Sequence, residues 1–177
     1  MHDVESIYLL PEMMREARLD SEMVQLMNLG GRVNSARDAR AAAEWARFTA
    51  RIGQHARSVT IGITGKYTAL RDSYASIVKA LEHAGVANDA KVEMRWIDTT
   101  DITDANVAEA LAGADGIIVP GGFGTRGVEG KIACVRHARA GRIPYLGICL
   151  GFQVAVVEYA RNVCCLADAH STEFVPD

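Results

Sequence analysis

Apolar positions follow two rhythms along the chain, and the change comes near residue 58. Before it, no stretch has the alternation or the compact apolar run of a strand. "PEMMREARL" and "DSEMVQLMNLGG" read as two short helices, with Asp20 as an N-cap and Gly30 as a stop. "NSARDARAAAEWARFTARI" reads as a longer helix capped by Asn34 or Ser35. Trp45, Phe48 and Ile52 share one face of it at i, i+3 and i+7, and the opposite face is rich in arginine. Residues 1–57 therefore read as a solvated helical linker or lid, with a partner-binding surface as the alternative.

From Ser58 onward, short apolar runs alternate with helical periodicity. "SVTIGIT", "KVEMRWID", "GIIVP" and "IPYLGIC" read as strands. Between and after them, "DSYASIVKALEHAG", "ANVAEALAGA", "VEGKIACVRHARAG" and "LGFQVAVVEYARNV" read as helices. The first of these carries Tyr74, Ile77, Val78 and Leu81 at helical spacing and is expected to stop at Gly85. In the third, Val128, Ile132 and Val135 face inward. Strands alternating with helices predict an α/β domain over 58–177, a parallel sheet in three layers with helices on both faces. Ligands of such sheets bind beyond the carboxyl ends of the strands. "PGGFG" and "CLG" both follow strands directly, so both are expected on that edge.

Composition narrows the classes. The chain has 177 residues, is 49% hydrophobic, and carries a formal net charge of -3. It can bury a core, and it has no overall positive field to favour nucleic acid. No apolar run is long enough to span a membrane, and "MHDVESIYLL" lacks the pattern of a signal peptide. The expected compartment is the cytoplasm. There the four cysteines, Cys134, Cys149, Cys164 and Cys165, are free thiols. No CxxC pair suggests zinc. Three of the four are expected to be small buried hydrophobes.

Cys149 differs because of its flanks. Gly147-x-Cys149-x-Gly151 lies between a predicted strand and a predicted helix. It has the form of a nucleophile elbow with sulfur in place of oxygen. The apex of such a turn sits at a helix N-terminus, where backbone dipoles favour the thiolate. The N–H of Leu150 then points at whatever bonds to the sulfur. In "PGGFGTRG", Gly122-x-Gly124-x-x-Gly127 also matches a dinucleotide fingerprint, but no acidic residue follows at the distance a ribose would need. The loop instead suits a cradle of N–H groups for a carboxylate or an oxyanion. None of the five histidines has the context of a cysteine's base.

These strings carry a resemblance. "GKYTALRDSYASIVKALEHAG", "DGIIVPGGFGTRGVEGKI", "IPYLGICLGFQVAVVEYARNV" and "STEF" are similar to the class I glutaminase half of the CTP synthase family, from about Ser58 to Asp177. The helical segment before them resembles, more loosely, that family's interdomain linker. The resemblance implies a flavodoxin-like fold and a glutamine-hydrolysing ligase. Glutamine would be cleaved through a cysteinyl thioester, and the ammonia would convert UTP to CTP. By position, Cys149 matches the nucleophile, and Gly122 and Leu150 match the oxyanion-hole backbone. Gly121 and Phe123 match the loop beside the substrate. Gln153 and Glu173 match side chains that hold glutamine, and Arg126 matches a lid linked to the effector GTP. Physical chemistry agrees with these roles. A carboxylate such as Glu173 suits an α-ammonium, while an amide such as Gln153 and glycine N–H groups suit an α-carboxylate.

The resemblance further implies L-glutamine and a synthetase domain as partners, a homo-oligomer in the full enzyme, and no nucleic acid or membrane. No cofactor is expected in this chain. ATP and Mg2+ belong to the synthetase domain, which these residues do not include. Two departures stand out. The family's His-x-Glu acid–base pair does not occur in the 177 residues, and His170 stands where the family usually has asparagine. Two alternatives follow: a half-domain that binds or assembles without catalysis, and another cysteine hydrolase on the same fold using His170.

Overall fold

The computed structural model describes residues 4, 6–65 and 71–175. It divides into two compact units, Met1–His55 and Ala56–Asp177.

The first unit is helical: α1 (Leu10–Glu16), α2 (Leu19–Leu26) and α3 (Ser35–Thr49). Pro11 opens α1, where its missing N–H costs nothing. Asn34 caps α3 by accepting from the Arg37 N–H at 3.0 Å. Trp45 and Phe48 do share a face, and Tyr8 fills it, with ring centroids 6.0 and 5.5 Å away. The Trp45 indole N–H donates to the Tyr8 carbonyl at 2.8 Å. Ile52 lies beyond the last turn of α3. Asp20 is not the cap of α2. That position is Arg18, in a left-handed conformation, while Asp20 sits in the first turn and accepts from the Ser21 N–H at 2.8 Å. The helix also stops before Gly30, because Asn28 takes the left-handed turn (φ 52°).

The second unit is an all-parallel four-stranded sheet in the order β2-β1-β3-β4, built from β1 (Arg57–Gly65), β2 (Ala90–Asp98), β3 (Gly116–Val119) and β4 (Tyr145–Gly147). β1 pairs with β2 from Arg57↔Ala90 to Gly65↔Asp98, and β3 pairs with β4 from Ile117↔Tyr145 to Val119↔Gly147. Four helices connect or follow the strands: α4 (Ala75–Asn88), α5 (Val107–Ala110), α6 (Val128–Gly141) and α7 (Leu150–Asn162).

Successive residues of β2 show the layers. Ile97 joins the main core with Val107, Leu111, Ile132, Val135, Val154 and Val157, from α5, α6, α7 and the turn after α5. Trp96 points to the opposite face and packs on Tyr74, before α4, at 5.3 Å. The sheet therefore carries helices on both sides. Val128, Ile132 and Val135 are buried as their spacing requires.

Two helices differ from their periodicity. α4 runs past Gly85 to Asn88. Gly85 is inside it because a Cβ there would come within 2.5 Å of the Ala90 carbonyl oxygen, so this glycine serves close helix–strand packing. α5 is a single turn, and the Arg95 guanidinium donates to the carbonyls of Ala110 and Ala112 at its end. Of the cysteines, Cys134 is buried, but Cys164 and Cys165 are exposed, contrary to expectation. They follow the end of α7, where Cys165 takes a left-handed turn (φ 61°) and the preceding apolar spacing no longer applies.

Candidate active site

All four strands run in one direction, so their carboxyl ends bring Gly65, Asp98, Val119 and Gly147 to one edge. Two residues after β4 the chain is already at the start of α7. The turn is held by the Ile148 N–H donating to the Val119 carbonyl at 2.9 Å. Cys149 is its apex, with φ 53° and ψ -110°. A non-glycine residue in that region stores about 1–3 kcal/mol of strain, which persists only when the surroundings impose it. Here they do. A Cβ on Gly151 would lie 1.9 Å from the Val119 carbonyl oxygen, and one on Gly147 would lie 2.6 Å from Gly151 backbone atoms. The strand and helix pass too closely for side chains at either site. The thiol is left exposed at the head of α7, where the N–H groups of Phe152 and Gln153 turn back to the Cys149 carbonyl at 3.0 and 3.1 Å.

The glycine loop lies against this elbow. A Cβ on Gly121 would sit 3.4 Å from the Cys149 Cβ and 4.0 Å from its Sγ. One on Gly122 would sit 3.8 Å from a Leu150 methyl. Among the described residues, the N–H groups of Gly121, Gly122 and Leu150 donate to no backbone oxygen. Two segments far apart in sequence thus place unused amide donors around one thiol, the arrangement an oxyanion needs.

The remaining expected residues fall around this centre in different ways. Gln153 is one turn into α7, half-buried, and its Oε1 accepts the Ser171 hydroxyl at 2.9 Å. Glu173 is exposed in the turn that follows Ser171, and its N–H donates to the Ser171 hydroxyl at 3.2 Å. Phe174 anchors that turn in the core. Phe123 is 76% exposed at the tip of the glycine loop. Arg126 is exposed further along the loop, on the side of Asp98. The Asp98 carboxyl is held below the usual carboxylate range by the nearby Thr100 hydroxyl and N–H, with the Arg126 charge adding to them. The N–H makes a formed bond at 2.8 Å. The hydroxyls of Thr99 and Thr100 are buried with no partner among the described residues.

Sequence reasoning missed three contributors. The Asp98–Thr100 turn supports the loop, since a Cβ on Gly127 would meet the Thr99 hydroxyl at 2.8 Å. Lys131 is 2% exposed, and its Nζ lies 3.7 Å from where a Gly122 Cβ would be. Its place beside Ile132 on an apolar helix face was the available signal. Ser171 had none. Cys149 makes no side-chain hydrogen bond among the described residues, and exposed His170 makes none either. His2 lies outside the described residues. Among those described, no cluster of three or more His, Cys, Asp or Glu could hold a metal, and no helix is long and apolar enough to cross a membrane. A groove of about 630 Å³ is lined wholly by helical-unit residues, including Pro11, Glu12 and Trp45.

Comparison with known proteins agrees with this geometry. The CTP synthase of Nitratidesulfovibrio vulgaris is 49% identical over 172 residues, covering 97% of this chain and 30% of that protein. Those of Clostridium perfringens (47% over 176 residues) and Bacillus subtilis (44% over 174) cover 99% and 98% of the chain, and 32% and 31% of the relatives. The chain thus spans about a third of the length of the curated relatives it matches. The glutaminase domain of Trypanosoma brucei CTPS, solved with bound acivicin, matches with a TM-score of 0.61 and 42% identity, over 66% of this chain and 46% of that one. The sequence model of the class-I glutamine amidotransferases matches residues 69–174, more than half of the chain, and this protein belongs to that family.

Proposed function

We propose that the chain is the glutaminase part of a CTP synthase, supplying ammonia from L-glutamine to a synthetase domain of the same enzyme. The observation that carries this reading is the elbow: an exposed cysteine at φ 53°, beside Gly121, with unused amides on both sides. The relatives named as CTP synthases support the wider assignment.

In this reading Glu173 pairs with the α-ammonium of glutamine, and Gln153 with the α-carboxylate. Gly121 and Phe123 form the wall beside the substrate. The Cys149 thiolate attacks the γ-carboxamide carbon, and the carbonyl oxygen takes up negative charge against the N–H groups of Gly122 and Leu150. Losing one such donor typically lowers turnover by about 10²–10³. Collapse breaks the C–N bond, the leaving nitrogen takes a proton, and ammonia departs. Water then cleaves the thioester, giving glutamate and the free thiol.

Both proton transfers need a carrier, and general acid–base groups contribute about 10²–10⁴. The family resemblance assigns that task to a His-x-Glu pair, which does not occur in the 177 residues. Thioester formation is therefore the step to test on this chain. Arg126 serves a lid responsive to GTP. ATP and Mg2+ act in the synthetase domain.

The test is intact mass after exposure to acivicin, an electrophilic amino acid that mimics glutamine. One adduct is expected, on Cys149, and none in Cys149→Ser. No adduct, or equal modification of exposed Cys164 and Cys165, would overturn the reading.

A further inference from the structure

Ser171 is not one of the residues expected to touch substrate, yet several contacts meet at it. Its hydroxyl donates to Gln153 Oε1 at 2.9 Å, and the same oxygen accepts the Glu173 N–H at 3.2 Å. Its carbonyl accepts the N–H groups of Phe174 and Val175 at 3.1 and 3.0 Å. Phe174, 5% exposed, fixes the turn to the core. One serine thus joins the helix that begins at Cys149 to the turn that carries Glu173.

The side-chain bond has a chemical consequence. A carboxamide offers an acceptor and a donor from one planar group. Its terminal torsion is broad and roughly two-fold, so an unrestrained glutamine can present either. With Oε1 held by the Ser171 hydroxyl, the NH₂ of Gln153 is directed the other way. The free end of the amide is then a donor, complementary to an anion and not to an ammonium.

We propose that Ser171 is a positioning residue that acts through Gln153. It locks the carboxamide with its N–H donors facing the α-carboxylate of the amino acid held at Cys149. The inference rests on the glutaminase reading above and adds the group that sets the polarity of its carboxylate contact. Division of labour follows: Gln153 selects the anionic end of the amino acid, and Glu173 the cationic end.

The experiment uses the full chain and acivicin, with inactivation followed at Cys149 by mass over a range of acivicin concentrations. The saturation constant KI and the limiting rate kinact are read separately. Ser171→Ala should raise KI by about two- to tenfold, the range of one net hydrogen bond, with kinact unchanged. Ser171→Thr, which keeps the hydroxyl, should stay within about twofold of wild type. In a Gln153→Ala background, Ser171→Ala should have no further effect on KI.

An equal effect in both backgrounds would mean that Ser171 acts through the turn alone, and the proposal would fall. Gln153→Glu tests the donor assignment without disturbing Ser171. A carboxylate facing a carboxylate should raise KI more than Gln153→Ala does, by a further tenfold or so given like-charge repulsion in a partly buried site. A KI at or below the wild-type value would overturn the proposal even if Ser171→Ala did not fold. Iodoacetamide, which has no carboxylate, should alkylate Cys149 at the same rate in wild type, Ser171→Ala and Ser171→Thr. Failure of acivicin to label the wild type would sink the glutaminase reading, and this inference with it. Normal wild-type labelling with an unchanged KI in Ser171→Ala would sink the inference alone.

Discussion

At the scale of single residues, the site depends on backbone that has no room to move. The Val119 carbonyl oxygen occupies the space a Gly151 side chain would need, 1.9 Å from a Cβ. The obstacle is backbone in the central sheet, so it cannot rotate away. Gly151→Ala should therefore cost about 3 kcal/mol or more, at or above the upper end of overpacking penalties, as a lowered midpoint in urea unfolding. An unchanged midpoint would mean that β3 and α7 are not packed this closely. A second residue-scale expectation concerns the thiols. Burial pushes the Cys134 thiol up to about 12, while Cys149, Cys164 and Cys165 are exposed. A water-soluble disulfide reagent at pH 8 should titrate three thiols quickly and the fourth only on unfolding. The sign of the pH effect follows from linkage. Below about pH 8.5, the ordinary thiol value, Cys134 is protonated both folded and unfolded, and its contribution is complete. Above that pH the unfolded chain sheds a proton that the fold retains, so stability should fall as pH rises towards 12. Cys134→Ala should flatten that alkaline slope.

At the scale of elements, α6 and α7 carry both halves of the site, because the glycine loop leads into one and Cys149 into the other. Their mutual placement is set by apolar residues and by two ion pairs, a more exposed one between Glu129 and Arg161 at 3.0 Å and a more buried one between Arg139 and Glu158. Glu158, 1% exposed at its side chain, accepts a forked contact from Arg139 at 2.8–3.2 Å. Asn162 adds a donor at 3.2 Å. Removing the arginine strands a buried carboxylate, whereas removing both partners does not. Arg139→Met should lower the melting temperature more than the double change Arg139→Met with Glu158→Met. The reverse order would show that the pair contributes nothing to helix placement. The elements themselves were largely legible in the sequence, since apolar periodicity fixed all four strands and the inward face of α6. Their ends were not. Asp20, Gly30 and Gly85 looked like helix signals, but Arg18 and Asn28 took the left-handed positions and Gly85 met β2 inside α4. Those outcomes depend on neighbours distant in sequence. The same limit held at the site. The Gly-x-Cys-x-Gly spacing showed Cys149 because an elbow is local. Lys131 beneath the loop and Ser171 beside Gln153 are products of the three-dimensional packing.

At the scale of the whole sheet unit, one side is well covered and another is not. The core lies between the sheet and α5, α6 and α7. Among the described residues, β4 is the last strand of the sheet, with only β3 beside it. Leu146 and Ile148, on and just after this edge, are 54% and 39% exposed. Along α7 and just beyond it, Phe152, Val156, Tyr159, Val163 and Leu166 are 41–64% exposed. Parallel sheets are normally buried on both faces and protected at their edges. Scattered exposed apolar residues need no explanation, but a series along one helix and its adjoining strand marks a surface built to be covered. Charge does not oppose association strongly, since the net value is -3 over 177 residues. When this chain is studied by itself at micromolar concentration, its sedimentation coefficient should rise with protein concentration. Val156→Lys and Tyr159→Lys together should suppress that rise, because two like charges would then face any copy that docks there. Both side chains point outward, so these changes should leave the melting temperature within about 0.5 kcal/mol of wild type in stability terms. Acivicin labelling of Cys149 should also persist, which separates loss of association from loss of the fold. A chain that sediments as a monomer at every concentration would show that the β4 edge and the outer face of α7 are tolerated in water as they stand.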